Sequence, residues 1–232
     1  MIESPEQLVE QSVKQLLRAG EDLLFPESIY CICCGKIIDS TRTYSLCDDC
    51  MSRLGWNIDP PIVKSGIPVI RCVDYGIYSR SIVFSLKYNK RKYVARQIAA
   101  MMADRLAASG IRPDCLVPVP IHEDRLSERG FNQSELISRF LSENTGIPTV
   151  DALVRAKKTR AMRGLGAAER AFNIEGSIRM KPGMEGFADG GIAALIDDFC
   201  TTGSTAAECA RALEKSGAGD IFMFAFAARV LG

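Results

Sequence analysis

Short apolar runs alternate with amphipathic stretches along most of this chain. The apolar runs have the length and composition of buried strands, and the stretches between them have helical periodicity. Strands are predicted at 70–78, 115–117, 192–196 and 221–228, and helices at 79–89, 93–108, 132–145 and 206–216. Such alternation predicts an α/β fold in which helices flank a mostly parallel sheet.

The first third of the chain has a different pattern. Residues 6–19 place Leu8, Val9, Val13, Leu16 and Leu17 on one face of an amphipathic helix. Residues 56–68 contain three prolines and are predicted to form a linker. We therefore expect an amphipathic helix within 1–24, a small module at 25–60 and the α/β domain at 69–232.

Composition limits the class of protein. The 232 residues are 47% hydrophobic and 25% charged, which is enough for one α/β core and a small appendage. No apolar stretch is long enough to span a membrane, and the first 20 residues are too polar for a secretory signal. A cytoplasmic protein is expected.

The formal net charge of +1 hides an uneven distribution. Residues 1–60 carry 5 Lys/Arg against 10 Asp/Glu, and the other residues carry 24 against 18. Two segments, 80–96 and 155–170, each hold six basic residues and at most one acid. Such clusters suit polyanions such as pyrophosphate or nucleic acid, although a solvated helix face explains the first cluster about as well.

The nine cysteines include two C-x2-C pairs in the 25–60 module. Cys31 and Cys34 precede Cys47 and Cys50 by twelve intervening residues, the spacing of a closed tetrahedral zinc site in a ribbon. Cys33 is an alternative to Cys34 as a ligand, although the Cys34-Gly35 sequence better matches the turn after a second ligand. With all four positions filled by thiolates, a structural Zn²⁺ is expected; unrelated buried cysteines are the alternative.

Residues 192–205 join an apolar strand to two acids and a hydroxyl-rich turn, I-A-A-L-I-D-D-F-C-T-T-G-S-T. Hydroxyls, a glycine and the start of a helix together suit a phosphate dianion. The phosphate-binding residues are predicted to be Thr201, Thr202, Gly203, Ser204 and Thr205. Asp197 and Asp198 precede them and can accept hydrogen bonds from two ribose hydroxyls. A Walker A loop needs a lysine that is absent here, and a dinucleotide fingerprint needs three glycines. An ordinary capped turn is the alternative.

This segment resembles the phosphoribosyl-pyrophosphate (PRPP) motif of type I phosphoribosyltransferases. Residues 117–133, V-P-V-P-I-H-E-D-R-L-S-E-R-G-F-N-Q, are similar to a block of the ComF family, competence-associated proteins whose relatives include GntX. With the cysteine module, the resemblance covers about residues 25–230. It implies a type I phosphoribosyltransferase-like domain carrying an N-terminal zinc ribbon.

The resemblance also implies roles for the second block. Its rigid turn, formed by Val119, Pro120, Ile121 and His122, would lie beside pyrophosphate and offer it backbone N–H donors. Arg125 and Arg129 are four residues apart, so one helical face can present both to phosphate oxygens. Pairing with the neighbouring acids is the alternative for the two arginines. His122, the only histidine, is expected to be a loop residue or cap rather than a general base.

A third block, residues 155–174, resembles the mobile hood that closes over PRPP, with Arg160 and Arg163 facing pyrophosphate. Met162 stands where the family pattern has glutamine, and Phe199 where it has an aliphatic residue. Binding without transfer is therefore an alternative to catalysis.

Two functions follow as expectations. In the first, the chain binds PRPP with Mg²⁺, or a related sugar phosphate, and transfers the phosphoribosyl group to a base or amine with release of pyrophosphate. Asp197 and Asp198 would be its catalytic residues. In the second, it is a non-enzymatic accessory protein of DNA uptake that binds single-stranded DNA or a helicase, with PRPP or a nucleotide as a regulatory ligand.

Overall fold

The computed structural model describes residues 29–88, 91–156, 174–184, 186–215 and 217–229. The predicted N-terminal helix and most of the predicted hood, including Arg160, Met162 and Arg163, lie outside these residues. The strands are β1 Ile62–Lys64, β2 Ile67–Asp74, β3 Cys115–Pro118, β4 Leu153–Arg155, β5 Ile178–Met180, β6 Ala193–Cys200 and β7 Ile221–Ala228. Five of them form one sheet in the order β1-β2-β7-β6-β3, and β4 and β5 form a separate pair.

The sheet is mostly parallel. Strands β2, β7, β6 and β3 pair in parallel, and only β1 runs antiparallel to its neighbour β2. The described helices are α1 Asp48–Arg53, α2 Ile77–Tyr88, α3 Tyr93–Ser109, α4 Glu123–Arg129, α5 Gln133–Thr145 and α6 Ser204–Glu214. The predicted α/β class is confirmed. None of the described helices is long and apolar enough to cross a membrane.

The central strands bury both faces, as their continuous apolar runs predict. Along β6, Ala194 and Ile196 pack in one buried cluster with residues of α2, α3 and α5. Ala193 and Leu195 point to the other face and pack with residues of α6. The sheet therefore has a core on each face, and only its edges are available for a ligand.

The prediction of a linker over 56–68 is wrong in its second half. That half forms β1 and the start of β2, joined by a two-residue turn in which Ser65 has φ +48° and Gly66 has φ +83°. Two positive φ values are the signature of a tight hairpin turn that continues the twist of the strands. The predicted strand at 70–78 also begins and ends earlier, because residues 75 and 76 form a bend and α2 begins at Ile77.

The cysteine module packs against the α/β domain. Its buried residues, among them Ile32, Leu46 and Leu54, belong to the same apolar cluster as α2 and α3. The Ser81 hydroxyl on α2 donates to the Cys33 carbonyl at 2.7 Å. The module and the domain are therefore joined by a continuous buried core.

Candidate functional site

Asp197 and Asp198 lie inside β6, which continues through Cys200 and is thus longer than the predicted strand. The Lys87 ammonium forms an ion pair with Asp198 at 2.6 Å. Asp197 accepts hydrogen bonds from the Ser134 hydroxyl at 2.7 Å and from the Asp198 backbone N–H at 2.9 Å. The acid pair is thus held in place by the end of α2 and the start of α5.

The two acids differ in their surroundings. Asp198 is buried and compensated by Lys87, whereas Asp197 is half-buried and has no cation at ion-pair distance among the described residues. Burial raises the pKa of Asp197 to about 7, and the negative charge of Asp198 adds to that increase. Lys87, Ser134 and a backbone N–H only partly oppose it. Asp197 can therefore gain or lose a proton near neutral pH.

The predicted phosphate loop follows directly. Thr201, Thr202 and Gly203 form a bend, and α6 begins at Ser204. The hydroxyls of Thr202 and Ser204 are 3.0 Å apart. Gly203 has φ +85°, a left-handed conformation that favours glycine over residues with a Cβ. The Ser204 N–H is directed at the Thr202 hydroxyl at 3.5 Å. Hydroxyls and the start of α6 thus lie together just after the acid pair, which is an arrangement suited to an anion.

The predicted pyrophosphate turn lies at the same edge of the sheet. Strand β3 ends at Pro118, and the Val119 N–H donates to the Ile196 carbonyl of β6 at 3.0 Å. The prediction of backbone donors is therefore wrong for Val119, whose N–H is used in the sheet, and for Pro120, which has no N–H. Val119 and Pro120 are buried, and the next two residues of the turn are half-buried. Because β3 and β6 are adjacent and parallel, this turn and the acid pair are brought together.

His122 and the two arginines are positioned by α4. His122 is the N-cap of this helix, and its Nδ1 accepts a hydrogen bond from the Asp124 N–H at 3.2 Å. Of the two predicted roles, loop residue or cap, it has that of a cap. Arg125 and Arg129 lie four residues apart on this helix. Arg129 donates to the Gln133 side chain at 3.0 Å. The helix is short, and it presents half-buried arginines near the turn.

Arg155, the last residue of β4, is a further cation near the site. It is buried, and burial lowers its pKa, with the charge of Arg125 adding to the decrease and that of Asp197 opposing it. These three charges are therefore close enough to influence one another. The basic residues of the segment after β4 fall outside the described part of the chain.

The sequence-based prediction did not assign Lys87, Ser134 or Arg155 to the site. Lys87 and Arg155 were visible only as members of basic runs, and Ser134 had no signal beyond its place after Asn132, the cap of α5. Phe199, which departs from the family pattern, packs edge-on against Tyr75 with ring centroids 5.1 Å apart. The Lys87 ammonium lies 5.3 Å from the Phe199 ring centroid, so this aromatic side chain contacts the cation that compensates Asp198.

The four predicted cysteine ligands come together in the module. The sulfur atoms of Cys31, Cys34, Cys47 and Cys50 all lie within 4.8 Å of one another. Cys34 and Cys47 are 3.7 Å apart, close to the edge of about 3.8 Å that a tetrahedron with 2.3 Å metal–sulfur bonds requires. The Cys47 backbone N–H points at the Cys31 sulfur at 3.4 Å, which stabilises a thiolate. This cluster can hold one metal ion.

The geometry distinguishes Cys33 from Cys34. Cys33 is outside the four-sulfur cluster, and its thiol instead points at the Tyr78 carbonyl of α2 at 3.7 Å. Cys34 completes the cluster. Of the two registers, the structure supports the one with Cys34, and it makes Cys33 part of the contact between the module and α2.

Comparison with known proteins finds relatives that are named competence or DNA utilization proteins. Competence protein F of Haemophilus influenzae is 35% identical over 116 residues, which are 50% of this chain and 50% of that protein. DNA utilization protein YhgH of Salmonella typhimurium is 26% identical over 82% of this chain and 86% of its own length. Competence protein ComFC of Streptococcus pneumoniae is 24% identical over 84% of this chain and 97% of its own length. The chain is thus similar to proteins named competence protein F, ComFC and DNA utilization protein YhgH.

The chain spans about half the length of competence protein F and most of YhgH and ComFC. No protein-family model matches its sequence. Solved structures similar to it include adenine phosphoribosyltransferase from Thermoanaerobacter pseudethanolicus, with 17% identity and a TM-score of 0.39 over 63% of this chain and 86% of that one. Another is an allosteric regulatory enzyme of purine biosynthesis, with 20% identity and a TM-score of 0.36 over 57% of this chain and 25% of that one.

Proposed function

We propose that this chain binds PRPP with Mg²⁺ at the carboxyl edge of its sheet. The observation that carries the proposal is the convergence of three elements there: the acid pair of β6, the hydroxyl loop before α6 and the turn after β3. The loop would hold the 5-phosphate, and Asp197 and Asp198 the ribose hydroxyls. Arg125, Arg129 and Arg155 would balance the charge of pyrophosphate.

Mg²⁺ would arrive with the ligand. Carboxylate oxygens are ligands that Mg²⁺ prefers, and it is commonly bound through one or two carboxylates together with substrate phosphates. In the ligand-free protein Lys87 already compensates Asp198, so Mg²⁺ is not needed to balance that acid. When bound with PRPP, Mg²⁺ would help to neutralise the charge of the pyrophosphate.

Equilibrium dialysis with labelled PRPP tests the proposal. We expect saturable binding of one PRPP per chain that is lost when Mg²⁺ is omitted. Absence of binding at millimolar PRPP with Mg²⁺ would contradict the proposal. Pyrophosphate release in the presence of purine, pyrimidine or amine acceptors would then separate a transferase from a protein that only binds the ligand.

The module is proposed to hold a structural Zn²⁺ through Cys31, Cys34, Cys47 and Cys50. Four thiolates with near-tetrahedral spacing match the ligand set and geometry of closed zinc sites. The metal would fix a segment whose regular structure in the described residues is limited to short helices and an isolated bridge. Metal analysis of the purified protein should give one zinc per chain.

A second function is supported by the names of the relatives, which are competence and DNA utilization proteins. In it, the chain handles single-stranded DNA during uptake, directly or through a helicase, with PRPP as a regulatory ligand. Arg80, Arg91 and Lys92 are exposed around α2 and the start of α3 and would contact phosphates. Replacing the three with Gln should flatten the salt dependence of oligonucleotide binding, since each phosphate contact adds about 0.7 to its log–log slope. An unchanged slope would remove this surface from consideration.

A further inference from the structure

The β1–β2 hairpin lies directly against the phosphate loop. The Ser65 hydroxyl at its tip donates to the Thr202 carbonyl at 2.9 Å. A Cβ placed on Gly203 would come within 2.7 Å of the Lys64 Cβ and 2.8 Å of the Lys64 carbonyl oxygen. The loop can approach the hairpin this closely only because residue 203 is glycine. Hairpin and loop thus form one packed unit.

Lys64, the last residue of β1, is a buried cation in this contact. It is only 6% exposed, yet it has no ion pair or hydrogen bond with any residue that the structure describes. The Lys64 Nζ is not one of the fully buried polar atoms that lack a hydrogen bond, so the methylene stem is buried while the ammonium still reaches solvent. An ammonium that no described residue pairs is available to a negatively charged ligand.

Lys64 lies beside the loop, because its Cβ is next to Gly203. Its charge acts on the thiol of Cys200 at the start of the loop, and the Gly203 backbone N–H acts on the same sulfur. Burial raises the pKa of Cys200 to about 12, as does the charge of Asp197, while Lys64 and the Gly203 N–H oppose the increase. Lys64 and a loop N–H thus act on the same point, next to the acid pair.

We propose that Lys64 supplies the positive charge that binds a phosphate monoester in the Thr201–Thr205 loop. The inference rests on the proposed function and adds a residue from outside the three motifs of the sequence. The loop offers N–H groups and hydroxyls but no charged side chain, and the hairpin places beside them a lysine whose ammonium no described residue pairs. A sugar 5-phosphate would give Lys64 the partner that the ligand-free chain lacks.

The test compares wild type with Lys64→Met, Lys64→Arg and, as a control, Lys215→Met, an exposed lysine just after the far end of α6. Affinity for PRPP with Mg²⁺, for ribose 5-phosphate and for inorganic phosphate would be measured by calorimetry, and the thermal unfolding midpoint without ligand by circular dichroism. Inorganic phosphate shows whether the phosphate group alone is sufficient.

We expect Lys64→Met to bind ribose 5-phosphate at least about tenfold more weakly, because a charge-assisted hydrogen bond is lost. Its ligand-free midpoint should be close to that of wild type, because methionine keeps the buried apolar stem and no ion pair with a described residue is lost. Lys64→Arg should restore most of the affinity, and Lys215→Met should match wild type in both measurements.

Three outcomes would overturn the inference. Wild-type-like affinity in Lys64→Met would show that Lys64 does not bind the phosphate. A lowered midpoint in that variant would show a structural role instead. Absence of PRPP binding in the wild type would contradict the proposed function itself. Failure of the proposed function is therefore distinguishable from failure of the role assigned to Lys64.

Discussion

The cysteine module and the strand-edge site both gather groups that become negatively charged, but they balance that charge differently. In the module, four sulfurs lie within 4.8 Å of one another, and a metal ion from solution is their natural counter-charge. At the strand edge, Lys87 already provides a cation for Asp198. The first arrangement therefore leaves its charge to the proposed metal, whereas the second balances one of its two acids with a lysine of the same chain.

Helix α2 connects the two regions. Near its start, Tyr78 and Ser81 contact Cys33 of the module, and near its end Lys87 contacts Asp198. Loss of the module's structure would therefore loosen the helix that carries the cation of the acid pair. The two regions are thus connected through one helix, even though their chemistry differs.

Removal of the metal should have the largest effect. Cys47→Ser, or treatment with a zinc chelator, should lower the free energy of unfolding by several kcal/mol or prevent folding, because the energy of metal binding stabilises the module. Unfolding would be followed by circular dichroism, with the metal content measured in parallel.

Cys33→Ser is the matched control, because Cys33 is outside the four-sulfur cluster. It should retain one zinc per chain and most of the stability. Loss of zinc in Cys33→Ser together with its retention in Cys34→Ser would contradict the assignment of the ligands.

Removal of the internal cation should have a smaller effect. Lys87→Met leaves the buried Asp198 carboxylate without its partner. This variant should lower the free energy of unfolding at pH 7 by about 1–3 kcal/mol. The loss is smaller than for a fully buried pair because the Lys87 side chain is 20% exposed. Added Mg²⁺ should restore part of the loss. Denaturant unfolding with and without Mg²⁺ measures both.

Lys181→Met provides a control of the same chemistry, because Lys181 pairs with Asp151 at an exposed position. Such pairs contribute about 0–1 kcal/mol. If the two lysine variants lost the same stability, the Lys87 pair would not differ from a surface ion pair, and the strand edge would not be internally balanced.

The pH dependence gives a further test. Because the pKa of Asp197 is raised to about 7, the folded chain holds a proton that the unfolded chain has lost between about pH 4 and 7. The contribution of Asp197 to stability therefore falls as the pH rises through this range. Asp197→Asn removes the titration, so this variant should gain about 1–2 kcal/mol relative to wild type between pH 4.5 and 7.5.

Chemical denaturation at several pH values measures this difference, and parallel curves for the two proteins would contradict the raised pKa. The difference between the curves is the informative quantity, because the acids away from this pair titrate equally in both proteins. Asparagine keeps an oxygen for the Ser134 hydroxyl, so the hydrogen bond itself is retained.

The sequence was sufficient for the parts of the molecule that depend on local pattern. Apolar runs predicted β6 and β7, the C-x2-C spacing predicted the four sulfurs, and the D-D-x-x-T-T-G-S-T order placed the acids and the loop beside each other. In each case, neighbours along the chain are also neighbours in space, so periodicity and spacing carry the information.

The contacts that join distant segments could not be predicted in this way. Lys87 and Ser134 reach the acid pair from helices more than 60 residues away along the chain. The sequence predicts a linker around Lys64, because Pro60, Pro61 and Pro68 lie on both sides of the short strand β1 and are typical of loops. Prolines are tolerated there because they precede β1 or lie near the start of β2. Neither periodicity nor spacing shows which distant side chain completes a site.

The most direct test of the account is calorimetric titration of PRPP with Mg²⁺ into three proteins of equal zinc content. They are the wild type, the Asp197→Asn/Asp198→Asn variant, and Glu214→Gln/Asp220→Asn, which loses the same charge at exposed positions toward the opposite edge of the sheet. We predict at least about tenfold weaker binding to the first variant, with its fold retained, and unchanged binding to the second. Equal affinity of the wild type and the acid-pair variant would contradict the account.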